Sequence, residues 1–454
     1  MVLSRRRPAG SAVVVVEEHH QHDADGDKLR IFNVDGAVLP TAPLVEEDAS
    51  VDSSVSPQLQ QQEQDLLQLQ QHRVINKTWS AGGPFEPPPV ISRHVILISG
   101  LVLFGLALLW PPLILLLAYL LSKLVPFSFR VNDDAATRRQ LFQRFGQQED
   151  LPERFRNVPE TIRLEESYWV NARGMVLATS IMIPKKTAIR SVVCFCHGYT
   201  DNVSFMKRVE NMRLVEEGIA FCAIEYEGHG KSDGALGLIT DWERLIDDVQ
   251  AYFQETTLKR FHNIPAFLMG ESMGGAVAYS VYNRIPDVFR GVVFICPMCK
   301  ISDHMLPPAW VIRCIQWCIG PTGTSSWLGY LPISPSSSLH DVCYRVREKR
   351  DLVSRCPSVF ARNPRLATAR ELIDVTQRIS NSLGSFSAPF LVLHGQADLV
   401  TDPALSQALY EEACSQDKTI RLYEGMWHAL TTGETEENTK IVFRDCIEWI
   451  LARS

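Results

Sequence analysis

From about Leu164 onward the chain repeats one pattern: apolar runs of four to seven residues alternate with stretches of helical spacing. "SVVCFCHG" precedes "FMKRVENMRLVEEG", which ends at Gly218, and "IAFCAIEYEGHG" precedes "WERLIDDVQAYFQE". "AFLMG" precedes "GGAVAYSVYNRI", and "GVVFICP" and "FLVLHG" are further apolar runs. Short runs without polar alternation are buried on both faces, as in a parallel sheet covered by helices on either side. "SYWVNARGMVLATSIMIP" reads as a hairpin turning at "NARG". The fold class is therefore α/β, with a mostly parallel sheet and helices on both faces. The alternation stops between Pro297 and about Pro389, a stretch that holds Met305, Leu306, Trp310, Trp317, Trp327 and "LPISPSSS". We read it, over about 297–388, as a helical cap on the C-terminal edge of the sheet, where α/β proteins bind ligands.

The first part of the chain is different. Residues 1–92 contain the glutamine-rich "PQLQQQEQDLLQLQQH" and the proline- and glycine-rich "AGGPFEPPP", and are expected to be disordered. Residues 93–125 form a hydrophobic segment, whose Val95–Ser122 core carries no charge. As a helix it would reach about 40 Å, more than the roughly 30 Å of a bilayer's hydrocarbon core. Pro111 and Pro112 interrupt it, so the expectation is a kinked transmembrane span or a re-entrant hairpin. Lys123, Arg130, Arg138 and Arg139 follow it, which points the C-terminal region toward the cytosol. Residues 126–160 read as a linker or amphipathic segment, and 161–454 as the α/β domain.

A net charge of −7 gives no basic footprint, so nucleic acid is set aside as a partner. All 11 cysteines lie after Val193, several within strand-like runs, and read as reduced core thiols. Cys296 and Cys299 have metal-like spacing but no second pair completes a zinc set, and no metal or organic cofactor is expected. The sequon at Asn202 bears on the protein only if the domain is luminal.

Gly270-Glu271-Ser272-Met273-Gly274 fits the GxSxG pattern, between an apolar run and a helical one. There a serine occupies a turn so sharp that side chains two residues away do not fit, hence Gly270 and Gly274. A serine hydroxyl is a weak nucleophile and needs a base held in one tautomer by an acid. "FLVLHGQADLVTDP" offers Asp398 after a strand, and "TIRLYEGMWHAL" offers His428 after the next. The order Ser272, Asp398, His428 suits this strand arrangement. Asp402, before Pro403, reads as a helix N-cap, and His394 as a packed or hydrogen-bonded loop histidine. The oxyanion of an acyl intermediate needs donors already in place, and the backbone N–H groups of Met273 and Tyr199 are the candidates. His197 is read as structural, and "EGHGKSDG", around His229, as a loop at the sheet's edge.

From about residue 160 the sequence resembles the monoacylglycerol lipase family of α/β-hydrolases, most closely its plant-type members, which include caffeoylshikimate esterase. The matching stretches are "HGYTDN", "EYEGHGKSDG", "FLMGESMGGAVA", "CPMCKISD", "FLVLHGQADLVTDP" and "LYEGMWHALTTGETEEN". The resemblance implies an α/β-hydrolase fold and cleavage of a carboxylic ester through an acyl-enzyme, without a cofactor. It leaves the first 150 residues uncovered. A membrane-tethered serine esterase acting on monoacylglycerol is the leading expectation. A lysophospholipase, an acyltransferase or a phenolic-ester esterase would use the same triad, a peptidase the same fold, and a non-catalytic ligand receptor the same scaffold.

Overall fold

The computed structural model describes residues 12–18, 28–34, 134–299, 313, 327–332, 339–360 and 362–454. Ten strands form one sheet: β1 Ala12–Glu18, β2 Lys28–Val34, β3 Ile162–Val170, β4 Val176–Pro184, β5 Ser191–Cys196, β6 Ile219–Ile224, β7 Ala266–Glu271, β8 Gly291–Ile295, β9 Phe390–Gly395 and β10 Lys418–Tyr423. Their order is β1-β2-β3-β4-β6-β5-β7-β8-β9-β10. From β6 to β10 every neighbouring pair is parallel, while β4 is antiparallel to both β3 and β6. The turn between β3 and β4 forms because Asn171 Oδ1 accepts from the N–H groups of Arg173 and Met175, both at 2.9 Å. Within 1–92, β1 and β2 are described as strands, and the remainder lies outside the described residues.

The helices are α1 Ala135–Gly146, α2 Met206–Glu216, α3 Trp242–Tyr252, α4 Met273–Arg284, α5 Arg347–Ser354, α6 Leu366–Ser380, α7 Pro403–Glu412 and α8 Glu436–Leu451, with shorter turns between them. Alternate residues of the central strands point to opposite faces, which builds two cores. Cys194, Cys222, Leu268 and Phe294 pack with Leu245 and Val249 of α3, Val277 of α4 and Val375 of α6. Val193, Phe221, Phe267 and Leu391 pack with Leu214 and Val215 of α2 and Phe443 and Ile450 of α8. The central strands β5 to β9 are thus buried on both sides, which is why their sequences are apolar without alternation.

α1 is docked on the domain, although its residues read as linker. Arg138 donates to the carbonyls of Gly230, Ser232 and Gly234 at 3.1, 2.6 and 3.1 Å. Arg139 donates to the Lys231 carbonyl at 2.7 Å and to Asp233 at 2.5 Å. The glycine loop around His229 is therefore the seat of this helix. The apolar segment at 95–122 lies outside the described residues, and among those described no helix is long and apolar enough to cross a membrane.

Candidate active site

A sharp turn joins β7 to α4. Ser272 has φ +57°, a left-handed value that is rare for a residue with a side chain. The residues two positions to either side are glycine because the turn leaves no room for a side chain there. A Cβ on Gly270 would run into the Gly274 carbonyl, and one on Gly274 into the carbonyls of Cys196 and His197. The Ser272 N–H donates to the Ile295 carbonyl at 2.9 Å, and its own carbonyl accepts from Met298 at 2.9 Å. The elbow is thereby tied to the end of β8.

Asp398 and His428 follow β9 and β10 and meet at the same edge of the sheet. His428 Nδ1 lies 2.7 Å from Asp398 Oδ2. The other carboxylate oxygen, Oδ1, accepts from the N–H groups of Val400 at 2.7 Å and Thr401 at 3.1 Å. Oδ2 also accepts from the Thr401 hydroxyl at 2.8 Å and lies 3.0 Å from His394 Nε2. Burial alone would raise this carboxyl, but the His428 charge and the hydrogen bonds from both histidines outweigh it and hold Asp398 well below the usual carboxylate range. Asp402 caps α7, its Oδ1 accepting from Ala404 N–H at 2.9 Å.

Ser272 and His428 line one cavity together with Gly198 and Tyr199. A Cβ built on Gly198 would lie 3.5 Å from Ser272 Cβ, so the β5 loop bearing Tyr199 runs directly beside the serine. Met273 opens α4, whose N-terminus presents backbone donors and the positive end of its dipole to that space. The loop is braced from below by His197, whose ring stacks on Tyr226 at 3.8 Å and whose Nε2 accepts from Tyr226 N–H at 3.2 Å. Burial pulls both His197 and His229 down to about 3, so both stay neutral at physiological pH.

The cavity lining includes apolar side chains, from Val400 and from Tyr344, Val353 and Val359 of the insert. The insert thus contributes side chains to the cavity beside Ser272, and its described part includes α5 and α6. The cavity lining also holds charged side chains, Asp201, Lys207 and Glu271. Lys207 Nζ is 2.5 Å from Glu271 Oε2, 3.5 Å from Asp201 Oδ2 and 3.0 Å from Thr431 Oγ1. Burial would lower the ammonium, but the charges of Glu271 and Asp201 outweigh it and hold Lys207 above its ordinary value. The helical spacing of α2 contains no sign of this pair. The hint lay in Glu271 itself, a carboxylate at the buried end of an apolar strand.

The Cys296 thiol, the Asp398 carboxylate and the His428 imidazole bring one ligand atom each within 4.8 Å of one another, so this set, and not Cys296 with Cys299, is the one with metal-like geometry. Its chemistry fits a hydrogen-bonded group better. Burial and the adjacent Asp398 charge push the thiol up and keep it protonated, and the carboxylate already has a full set of donors. Asn202, of the sequon, is buried at 2% exposure.

A mostly parallel sheet with the strained Ser272 turn near its centre and an acid–imidazole pair at the same edge is the arrangement of an α/β-hydrolase of the serine class. Residues 187–436 match the family described as serine aminopeptidase, S33. Caffeoylshikimate esterase of Arabidopsis thaliana is 32% identical over 302 residues, spanning 66% of this chain and 89% of that protein. Monoglyceride lipase of Homo sapiens is 27% identical over 300 residues, spanning 66% and 95%. A soluble variant of monoglyceride lipase from Saccharomyces cerevisiae, solved with a substrate analog, superposes with a TM-score of 0.52 at 17% identity, over 63% of this chain and 94% of that one, which supports the fold. The chain belongs to the serine aminopeptidase S33 family of α/β-hydrolases, in its monoglyceride lipase-like group. It is a serine ester hydrolase.

Proposed function

We propose that Ser272 is the nucleophile, His428 the general base and Asp398 the acid that orients it, with the N–H groups of Met273 and Tyr199 as oxyanion donors. The observation that carries this reading is the 2.7 Å contact between His428 Nδ1 and Asp398 Oδ2, with His428 and Ser272 on one cavity. His428 takes the Ser272 proton as Oγ attacks the ester carbonyl. The imidazolium formed is stabilised by Asp398, and the oxyanion by the two backbone donors. His428 then returns the proton to the leaving alcohol, and water releases the acyl group by the same route.

The substrate in this reading is a monoacylglycerol or a closely related lipid ester. The human relative's name and a cavity lining that holds both apolar and charged side chains support it. Residues 95–122 would tether the domain to a membrane with its catalytic region facing the cytosol, a placement supported by the uncharged stretch and the basic residues after it. A phenolic ester is the second reading, favoured by the identity to caffeoylshikimate esterase.

The test is labelling with a fluorophosphonate probe, with Ser272→Ala as control, followed by matched monoacylglycerol, lysophospholipid, phenolic-ester and amide substrates. Labelling confined to the wild type, with the highest kcat/KM on monoacylglycerol, is expected. Folded wild-type protein that takes no label refutes the triad, and a preference for phenolic esters moves the assignment to the second reading.

A further inference from the structure

His394, the penultimate residue of β9, is completely buried. Its Nε2 lies 3.0 Å from Asp398 Oδ2 and 3.1 Å from the Thr401 carbonyl oxygen. Both neighbours are acceptors here, so Nε2 carries a proton. The other nitrogen, Nδ1, is 2.6 Å from Ser406 Oγ on α7, whose hydroxyl donates to it when the ring is neutral. The ring is thus locked with its N–H on the very oxygen that accepts from His428 Nδ1 at 2.7 Å. One carboxylate oxygen serves two imidazoles.

Building on the triad reading above, we propose that His394 is a positioning residue for the ester hydrolysis: its N–H fixes the rotation of the Asp398 carboxylate and takes up part of the negative charge that Oδ2 presents to His428. Oδ1 is pinned by two backbone N–H groups, while Oδ2 is held on the protein side by Thr401 and His394 alone among the bonds described. Removing the His394 donor loosens the carboxylate and leaves more charge on Oδ2. The first effect misdirects the base and lowers kcat. The second makes His428 release its proton less readily and moves the acid limb of the pH profile upward. The other titratable groups near this carboxylate are the Cys296 thiol at the end of β8 and Cys343 on the insert, with Glu271 and Lys207 on the elbow side. None of them is altered by the substitutions below.

The experiment compares wild type, His394→Phe and His394→Gln on a soluble neutral ester, measuring kcat and KM from pH 5 to 9. His394→Phe keeps a flat ring without a donor, and His394→Gln restores an N–H. For His394→Phe we expect kcat to fall about tenfold or more, KM to change little and the acid limb of kcat/KM to rise by about half a pH unit. His394→Gln should recover most of both. A folded His394→Phe whose acid limb stays in place overturns the proposal whatever its kcat, as does a His394→Gln no better than His394→Phe. Should His394→Phe not fold, 15N-histidine NMR of the wild type decides: a neutral ring protonated on Nε2 is required, and protonation on Nδ1 alone overturns the proposal. Labelling of Ser272 in the wild type separates the two levels, since its failure removes the triad and its success leaves only the role of His394 in question.

Discussion

Lys207 Nζ lies 2.5 Å from Glu271 Oε2, so a buried ion pair stands one residue before the proposed nucleophile. The Thr431 hydroxyl donates to the same oxygen at 2.7 Å. A single carboxylate therefore joins α2, the serine turn and the loop that carries His428. Lys207→Met strands that carboxylate without a counter-charge and should cost about 3–5 kcal/mol. Adding Glu271→Gln should recover much of the loss. Urea unfolding of the single and double variants tests this, and a double variant as unstable as Lys207→Met would show that the pairing is not what holds the loops together.

Asp398→Asn replaces an acceptor by a group that also donates, and removes the charge that stabilises the imidazolium. We expect kcat on a soluble ester to drop about 10⁴-fold, measured on protein shown to be folded. A loss below about tenfold would move the acid role to another residue.

His197 and His229, pulled down to about 3 by burial, are neutral in the folded protein and titrate near 6.5 when unfolded. The unfolded chain binds more protons between those values, so stability is complete above about 6.5 and falls as pH drops toward 3. Each histidine should contribute a slope of about 1.4 kcal/mol per pH unit within that window. Unfolding free energies measured from pH 7 to 5 check this, and His229→Gln should show a shallower dependence than the wild type.

α1 is held by side chains that reach into the loop around His229. A chain beginning at residue 131 keeps the helix; one beginning at 150 leaves the Gly230, Ser232 and Gly234 carbonyls without the Arg138 guanidinium. The longer form should retain activity on a soluble ester and leave the membrane fraction, while the shorter should melt several degrees lower or aggregate. If the longer form still sediments with membranes, the tether lies elsewhere than in 95–122.

Much of this arrangement is visible in the residue pattern, because strands buried on both faces leave unbroken apolar runs and a sharp serine turn demands flanking glycines. The pairing of Glu271 with Lys207 is not legible because the two lie on different elements, and local spacing says nothing about which side chains face one another across the sheet edge. His394 and Asp398 are close in sequence, but spacing does not say which carboxylate oxygen the ring meets. The segment 126–160 reads as a linker or amphipathic stretch, and the docking of the helix at Ala135–Gly146 is not legible because the carbonyls that Arg138 and Arg139 reach lie about ninety residues away. His394 looked like ordinary packing since a buried histidine ending a strand has many uses, and only the position of Asp398 Oδ2 distinguishes them.

The insert enters the chain after β8 and leaves it before β9, so none of the loops bearing Ser272, Asp398, His428 or Tyr199 is interrupted by it. Under the proposed triad, the reacting groups and the cavity lining from Tyr344, Val353 and Val359 thus occupy separate stretches of polypeptide. A change of side chains within the insert would reshape that part of the cavity and leave the connections that carry the reacting groups intact.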